Sequence, residues 1–212
     1  IELHLQMEST PPLWWLARQP PSKGAPVRAD ARANRAAIID AARRLYTTRG
    51  PDAPLSAIAE EAGVGAGTLY RHFPTQQDLV LGVVEWLSAT IHEVRERWLG
   101  PMQTNPHEAW PGFVADIVEL RVAALMPRVI EGVDIETVIP QISRRRDSAL
   151  AAVGQVVELA KGAGLVREDV TAVQFQMGLA VATRPLPSAA SALVPDVSSW
   201  LVEVYLRGLR PD

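Results

Sequence analysis

The chain has 212 residues, 48% hydrophobic and 21% charged, with 21 Lys and Arg against 24 Asp and Glu and a formal net charge of −3. That is enough apolar material for a sizeable core in one or two domains. With no cysteine there is neither a disulfide framework nor a thiolate metal site, in keeping with a reducing cytoplasm, and no apolar run approaches the roughly 20 residues of a membrane helix.

Residues 1–29 are rich in proline and have no helical period, which predicts a poorly ordered leader. Pro11 to Ala17 (PPLWWLA) is too short for the apolar core of a signal peptide and follows no basic run, and Trp14 and Trp15 within it read as incidental or locally packed. From Asp30 to Arg49, Ile38, Ala41, Ala42 and Leu45 recur at helical spacing with Tyr46 alongside, and Gly50-Pro51 ends the helix. Arg28, Arg32 and Arg35 gather at its start, the end a helix dipole reserves for anions. Either they form a solvated face that pairs with Asp30, or they meet phosphates.

Leu55 to Phe73, LSAIAEEAGVGAGTLYRHF, predicts two short helices joined by a glycine turn. Leu55, Ile58, Ala59 and Ala62 make one apolar stripe, with Glu60 and Glu61 toward solvent. Gly63 stops the helix, because a left-handed residue there costs glycine nothing and others roughly 1–2 kcal/mol. Leu69 and Phe73 pack back with Val64, which leaves Ala66, Gly67, Thr68, Tyr70, Arg71 and His72 outside. Small residues permit close approach to a major groove, and Thr, Tyr, Arg and His can donate to phosphates or base edges. The arrangement fits a helix-turn-helix. Thr75 and Asp78 then predict an N-cap and capping box, and Gln76 and Gln77 stand beside the backbone N–H groups of that helix start.

The run AIAEEAGVGAGTLYRHFPTQQDLV resembles the DNA-binding domain of the tetracycline-repressor (TetR) family, from near Ala31 to about Trp86. Its apolar, glycine and Thr-Leu-Tyr-x-His-Phe positions agree in register. The resemblance implies a bacterial regulator whose dimer binds palindromic double-stranded operators and lets go when a small molecule fills a pocket. It also implies phosphate contacts near the start of the first helix. Two positions depart from the family pattern: Pro54 replaces the usual Ser or Thr cap, and Gln76 stands where a Lys is usual. Charge is distributed to suit: residues 1–80 carry nine Lys or Arg against eight Asp or Glu, and residues 81–212 twelve against sixteen. A basic front on an acidic body steers one end toward DNA.

The helix opened by Thr75 continues through Leu79, Val83, Trp86, Leu87, Thr90, Ile91 and Val94 to about Leu99, roughly 35 Å at 1.5 Å per residue, until Gly100-Pro101 breaks it. Further helices are predicted from Pro106 to Val129, from about Asp134 to Ala163, from Glu168 to Thr183 and from Val197 to Leu209. The fold class is all-α: a three-helix helix-turn-helix head followed by a helical bundle for ligand binding and dimerisation. The domains are then 1–29 leader, 30–78 DNA-binding and 79–212 ligand-binding and dimerisation.

Gly63-x-Gly65-x-Gly67 follows a helix rather than a strand and lacks the companions of a nucleotide loop. His4, His72, His92 and His107 are scattered, and neither GxSxG nor HExxH occurs, so no catalytic residue, metal or cofactor is assigned. In the body, Trp86, Trp98, Trp110, Phe113, Met126, Phe175 and Met177 are candidates for an apolar pocket, although ordinary core is the simpler role for most of them. Arg121 and Arg144 to Arg146 are candidate partners of a ligand carboxylate or, for the triplet, an exposed run. The last two helices are apolar over more than one face, and the resemblance makes them a four-helix dimer interface.

Together these observations predict a cytoplasmic bacterial repressor, bound at the nucleoid when on DNA. Arg32, Arg35, Ala66, Gly67, Thr68, Tyr70, Arg71, His72 and Gln76 are its DNA-facing residues, and its partners are an operator, a small-molecule effector and a second copy of the chain. The alternative from another class is an all-α ligand-binding protein or enzyme whose helix-turn-helix is only structural.

Overall fold

The computed structural model describes residues 25–49, 53–122, 125, 135–186 and 192–211, and among these every regular element is a helix. The calls on Trp14, Trp15 and Met126 fall outside the described residues.

Three helices form the head: α1 (Ala25–Arg49), α2 (Leu55–Glu61) and α3 (Ala66–His72). α1 begins at Ala25, ahead of the expected Asp30, with Pro26 in its first turn, where a missing N–H costs nothing. Ile38, Ala41, Ala42, Leu45 and Tyr46 bury one stripe of α1 against Ile58, Ala59, Leu69 and Phe73. Leu55, Ala62 and Val64 are half-buried at the margin of that core. Gly63 takes φ +66, the left-handed turn its position requires. Arg44 ties α1 to α2 through Glu61, Nε donating at 2.9 Å, and also pairs with Asp40 one turn back. The hydrogen bond to Glu61, first among its causes, raises the Arg44 pKa.

α4 (Gln76–Thr104) serves both halves of the molecule. Thr75 caps it: its Oγ1 accepts from the Asp78 N–H at 3.1 Å, while the Asp78 carboxylate accepts from the Thr75 N–H at 3.0 Å. Leu79, Val80, Val83 and Val84 complete the head core. One turn on from Val83, Leu87 enters the body core, followed by Ile91 and Val94, and Trp86 packs against both cores.

The expected break at Gly100-Pro101 does not occur, since α4 continues to Thr104 with Pro101 inside it. Proline forfeits one hydrogen bond there, yet Met102, 1% exposed, anchors the last turn in the core, and burial outweighs the lost bond. Asn105 ends the helix, and Pro106 occupies the first position of α5 (Pro106–Glu119). α5 stops short of the predicted Val129, where Leu120 caps it and Arg121 turns to φ 49.

α6 (Ile135–Gly162) packs along α4, as does α5. Gly164 (φ +69) turns the chain into Leu165, Val166 and Val170, all buried. α7 (Ala172–Ala182) therefore begins later than the predicted Glu168, at a capping box in which Thr171 Oγ1 accepts from the Gln174 N–H at 3.1 Å. α8 (Val197–Gly208) packs on α7, and the Arg167 N–H donates to the Leu209 carbonyl at 2.7 Å.

Candidate nucleic-acid interface and body cavity

Leu69 is fully buried and Phe73 is 2% exposed, which fixes the rotation of α3 and turns its other side to solvent. On that side Ala66, Gly67, Tyr70 and Arg71 are exposed, with Thr68 and His72 half-buried. Tyr70, at 52%, is a large ring left open to solvent among the described residues. Neither Pro54 nor Gly65 caps its helix with a side chain; each offers its carbonyl to the first free N–H groups instead.

Arg32 is exposed on α1. Arg35 is committed within the chain: its Nη2 donates to Glu85 Oε2 at 3.1 Å and its guanidinium lies 5.3 Å from the Phe73 ring centroid. Gln76 is half-buried in the first turn of α4. α3, the start of α4 and the N-terminal half of α1 thus contribute the expected residues from three elements of one small head. Of these residues, Arg35 and Gln76 are already engaged within the chain.

A cavity of about 610 Å³ opens between α4, α6 and α7. Most of its wall is aliphatic, including Leu87, Ile91, Leu150 and Met177, and its polar members are Ser88, Arg145, Arg146, Asp147 and Gln176. Val84 and Ile142 line it too, and both belong to the head core, Val84 buried and Ile142 packed against it. The cavity wall and the head core therefore have these two residues in common.

Among the described aromatic and Met candidates for a pocket, Met177 alone is on this wall. Trp110, Phe113 and Phe175 pack ring to ring as solid core, with centroids 5.3 to 6.3 Å apart, Phe113 stacked on both and Trp110 tilted against Phe175. Trp98 packs over Gly112 and donates from Nε1 to Asp116 at 2.7 Å. Trp86 lies beneath the guanidinium of Arg43. Large rings fill space, and the gap is left where side chains are shorter. One signal in the sequence did mark the wall: Ile142, Arg145 and Ala149 share a stripe on α6, so a cation interrupts an apolar face.

Burial sets the unusual ionisations. The Tyr46 hydroxyl is buried without a hydrogen-bond partner, and its pKa is pushed up to about 12. Burial likewise raises Tyr205 and lowers Arg43, the latter opposed by Asp40. Among the described residues no cluster of His, Asp and Glu could hold a metal ion, and no helix is long and apolar enough to cross a membrane.

Comparison with known proteins agrees with this division. A family model described as bacterial regulatory proteins, tetR family, matches residues 38–83, and one described as the C-terminal domain of SbtR-like transcriptional regulators matches residues 105–211. An HTH-type transcriptional regulator of Staphylococcus aureus is 40% identical over 60 residues, which are 28% of this chain and 32% of that protein. The chain thus spans about a third of the length of the curated relatives it matches. The crystal structure of a TetR transcription regulatory protein from Mycobacterium vanbaalenii is 34% identical, covering 88% of this chain and 100% of that one, with a TM-score of 0.60. A TetR transcriptional regulator from Streptomyces coelicolor is 28% identical over 84% of this chain and 98% of its own, with a TM-score of 0.59. With a helix-turn-helix head on a helical body and both halves matched, the chain belongs to the TetR family of transcriptional regulators.

Proposed function

We propose that this regulator is a repressor that binds a palindromic operator as a homodimer and is released when a small molecule occupies the cavity between α4, α6 and α7. The observation that carries it is the shared wall: Val84 and Ile142 line the cavity and pack in the head core, so occupancy and head position are one mechanical problem. A ligand that prefers one arrangement of this wall shifts the population of head orientations by no more than that preference.

In this mechanism α3 enters the major groove. Thr68 and Tyr70 make the principal contacts, Arg71 and His72 lie beside them, and Ala66 and Gly67 allow the backbone to approach. Arg32, Arg35 and Gln76 position the head on phosphates. The DNA-binding head extends beyond the expected 30–78, from α1 through the first turns of α4, where Leu79, Val80, Val83 and Val84 still pack in its core, and the remainder of 79–212 forms the body. Two heads read half-sites one DNA turn, about 34 Å, or a multiple of it apart. The second copy docks on α7 and α8, where Val173, Met177, Val181, Trp200 and Val204 are exposed in a single chain. Such a protein works in the cytoplasm, at the nucleoid while bound.

The test is selection of duplexes from a random pool by the purified protein at moderate salt, followed by Thr68→Ala and Tyr70→Ala on the sequence recovered. An enriched palindrome whose affinity falls at least about tenfold in either variant, with the circular dichroism unchanged, supports the proposal. An unchanged DNA response in both variants returns the alternative, a ligand-binding protein or enzyme with a structural helix-turn-helix.

A further inference from the structure

The cavity holds one polar arrangement that the repressor mechanism leaves unused. Arg145 stands on the apolar stripe of α6 with its side chain only 32% exposed, and its contacts are long. Nη2 is 3.7 Å from Glu85 Oε1, and Nη1 is 3.5 Å from the Gln141 carbonyl. Charge-assisted N–H···O bonds ordinarily measure about 2.7–2.9 Å, so among the described residues a guanidinium with five donors sits on a cavity wall without a close acceptor. Its neighbour Arg146 differs, donating twice to Asp147 at 2.9 and 3.0 Å. From α7, Gln176 reaches the same cavity with its Oε1 buried and unpaired.

We propose that the ligand is an amphipathic carboxylate: its apolar body lies against Leu87, Ile91, Leu150 and Met177, its carboxylate takes Arg145, and Gln176 accepts from any hydroxyl or amide it carries. A wall so largely aliphatic binds the body by burial. A planar carboxylate matches the fork of a guanidinium, which Glu85 at 3.7 Å does not.

The same contact transmits occupancy, an inference that rests on the ligand-released repressor proposed for this cavity. Glu85 stands between two cations, Oε2 toward Arg35 of the head and Oε1 toward Arg145. When a ligand takes Arg145, Glu85 is left to Arg35 alone; when a phosphate takes Arg35, Glu85 is left to Arg145. Ligand and DNA each favour the partner exchange that the other opposes, and the linkage is reciprocal.

The experiment is calorimetric titration of the full chain, without DNA, with octanoate, decanoate and dodecanoate, each beside the n-alkanol of the same length. At least one acid binds about tenfold or more tightly than its alcohol, as expected when a carboxylate gains a close guanidinium. Arg145→Gln brings that preference below about twofold, Arg145→Lys restores part of it, and Arg97→Gln, at a cation paired with Asp116 away from the cavity, leaves it intact. No acid preferred over its alcohol, or a preference surviving in Arg145→Gln, overturns the proposal. Because DNA is absent from the cell, the two proposals fail separately: an enriched palindrome without acid preference removes the ligand class alone, and the converse removes the operator alone.

Discussion

The guanidinium of Arg43 lies 3.5 Å from the centroid of the Trp86 ring, so a cation of α1 is stacked on the residue of α4 at which the head core gives way to the body core. Arg43 is also paired with Asp40 at 3.1 Å, and its Nε is buried without an acceptor among the described residues, so the Asp40 carboxylate and the ring face together offset its desolvation. In a double-mutant cycle of Trp86→Leu and Arg43→Met, urea denaturation is expected to give a coupling free energy of about 1 kcal/mol. Additive effects would show that the stacked pair contributes nothing.

Gln76 occupies the first turn of α4, beside the capped N-terminus. A neutral side chain near a phosphate releases no counterion. Gln76→Lys is therefore expected to raise operator affinity at low salt and to steepen the dependence of log K on log salt by roughly one. Fluorescence anisotropy at several salt concentrations measures both, and an unchanged slope with unchanged affinity removes Gln76 from the interface.

Tyr46 is 1% exposed and its hydroxyl meets no partner, so its pKa is pushed up from 10.0 to about 12. The folded state keeps its proton where the unfolded state loses it. This contribution is complete below pH 10, declines as pH rises from about 10, and is gone once pH passes about 12, a span on the order of 2–3 kcal/mol. Tyr46→Phe is expected to flatten the alkaline fall in stability and to cost nothing at pH 7, because it removes an unpaired buried hydroxyl. Urea denaturation between pH 8 and 11 checks it. Tyr205, also raised by burial, leaves a residual slope.

Val204 is 45% exposed on α8, close in sequence to Trp200 at 59%. If a second copy covers this face, Val204→Glu buries a charge at the contact and yields monomers with unchanged helix content by light scattering and circular dichroism. A variant that remains dimeric places the interface elsewhere.

The head was legible in the sequence because local rules settle it. Gly63 demands a positive φ, Thr75 and Asp78 are spaced for a capping box, and Leu69 and Phe73 stand four apart, so each residue carries its own instruction. The body was less legible because long-range packing decides it. Pro101 reads as a break, yet the burial of Met102 carries α4 past it. Trp110, Phe113 and Phe175 are pocket candidates for which core is the simpler role, and they do consume one another's surface, while the space lies among aliphatic residues of α4, α6 and α7, most of which the sequence does not single out. A sequence states how bulky a residue is; which volume stays empty depends on how three helices cross. The double engagement of Glu85 was likewise hidden, since Arg35 and Arg145 lie 110 positions apart and meet only through α4.

No residue of α8 is fully buried in a single chain. Val202, Tyr205 and Leu206 hold it to the body core, the Tyr205 ring filling the space above Gly178 that any Cβ would enter and its one hydroxyl proton shared between the Gln174 and Phe175 carbonyls at 3.0 and 3.2 Å. Few anchors mean a low local opening free energy, so its amides exchange with solvent through fraying of this one helix long before the α4 core opens. Where a partner covers the helix, that opening is governed by mass action, and the protection of its amides becomes a gauge of how much of the protein is present.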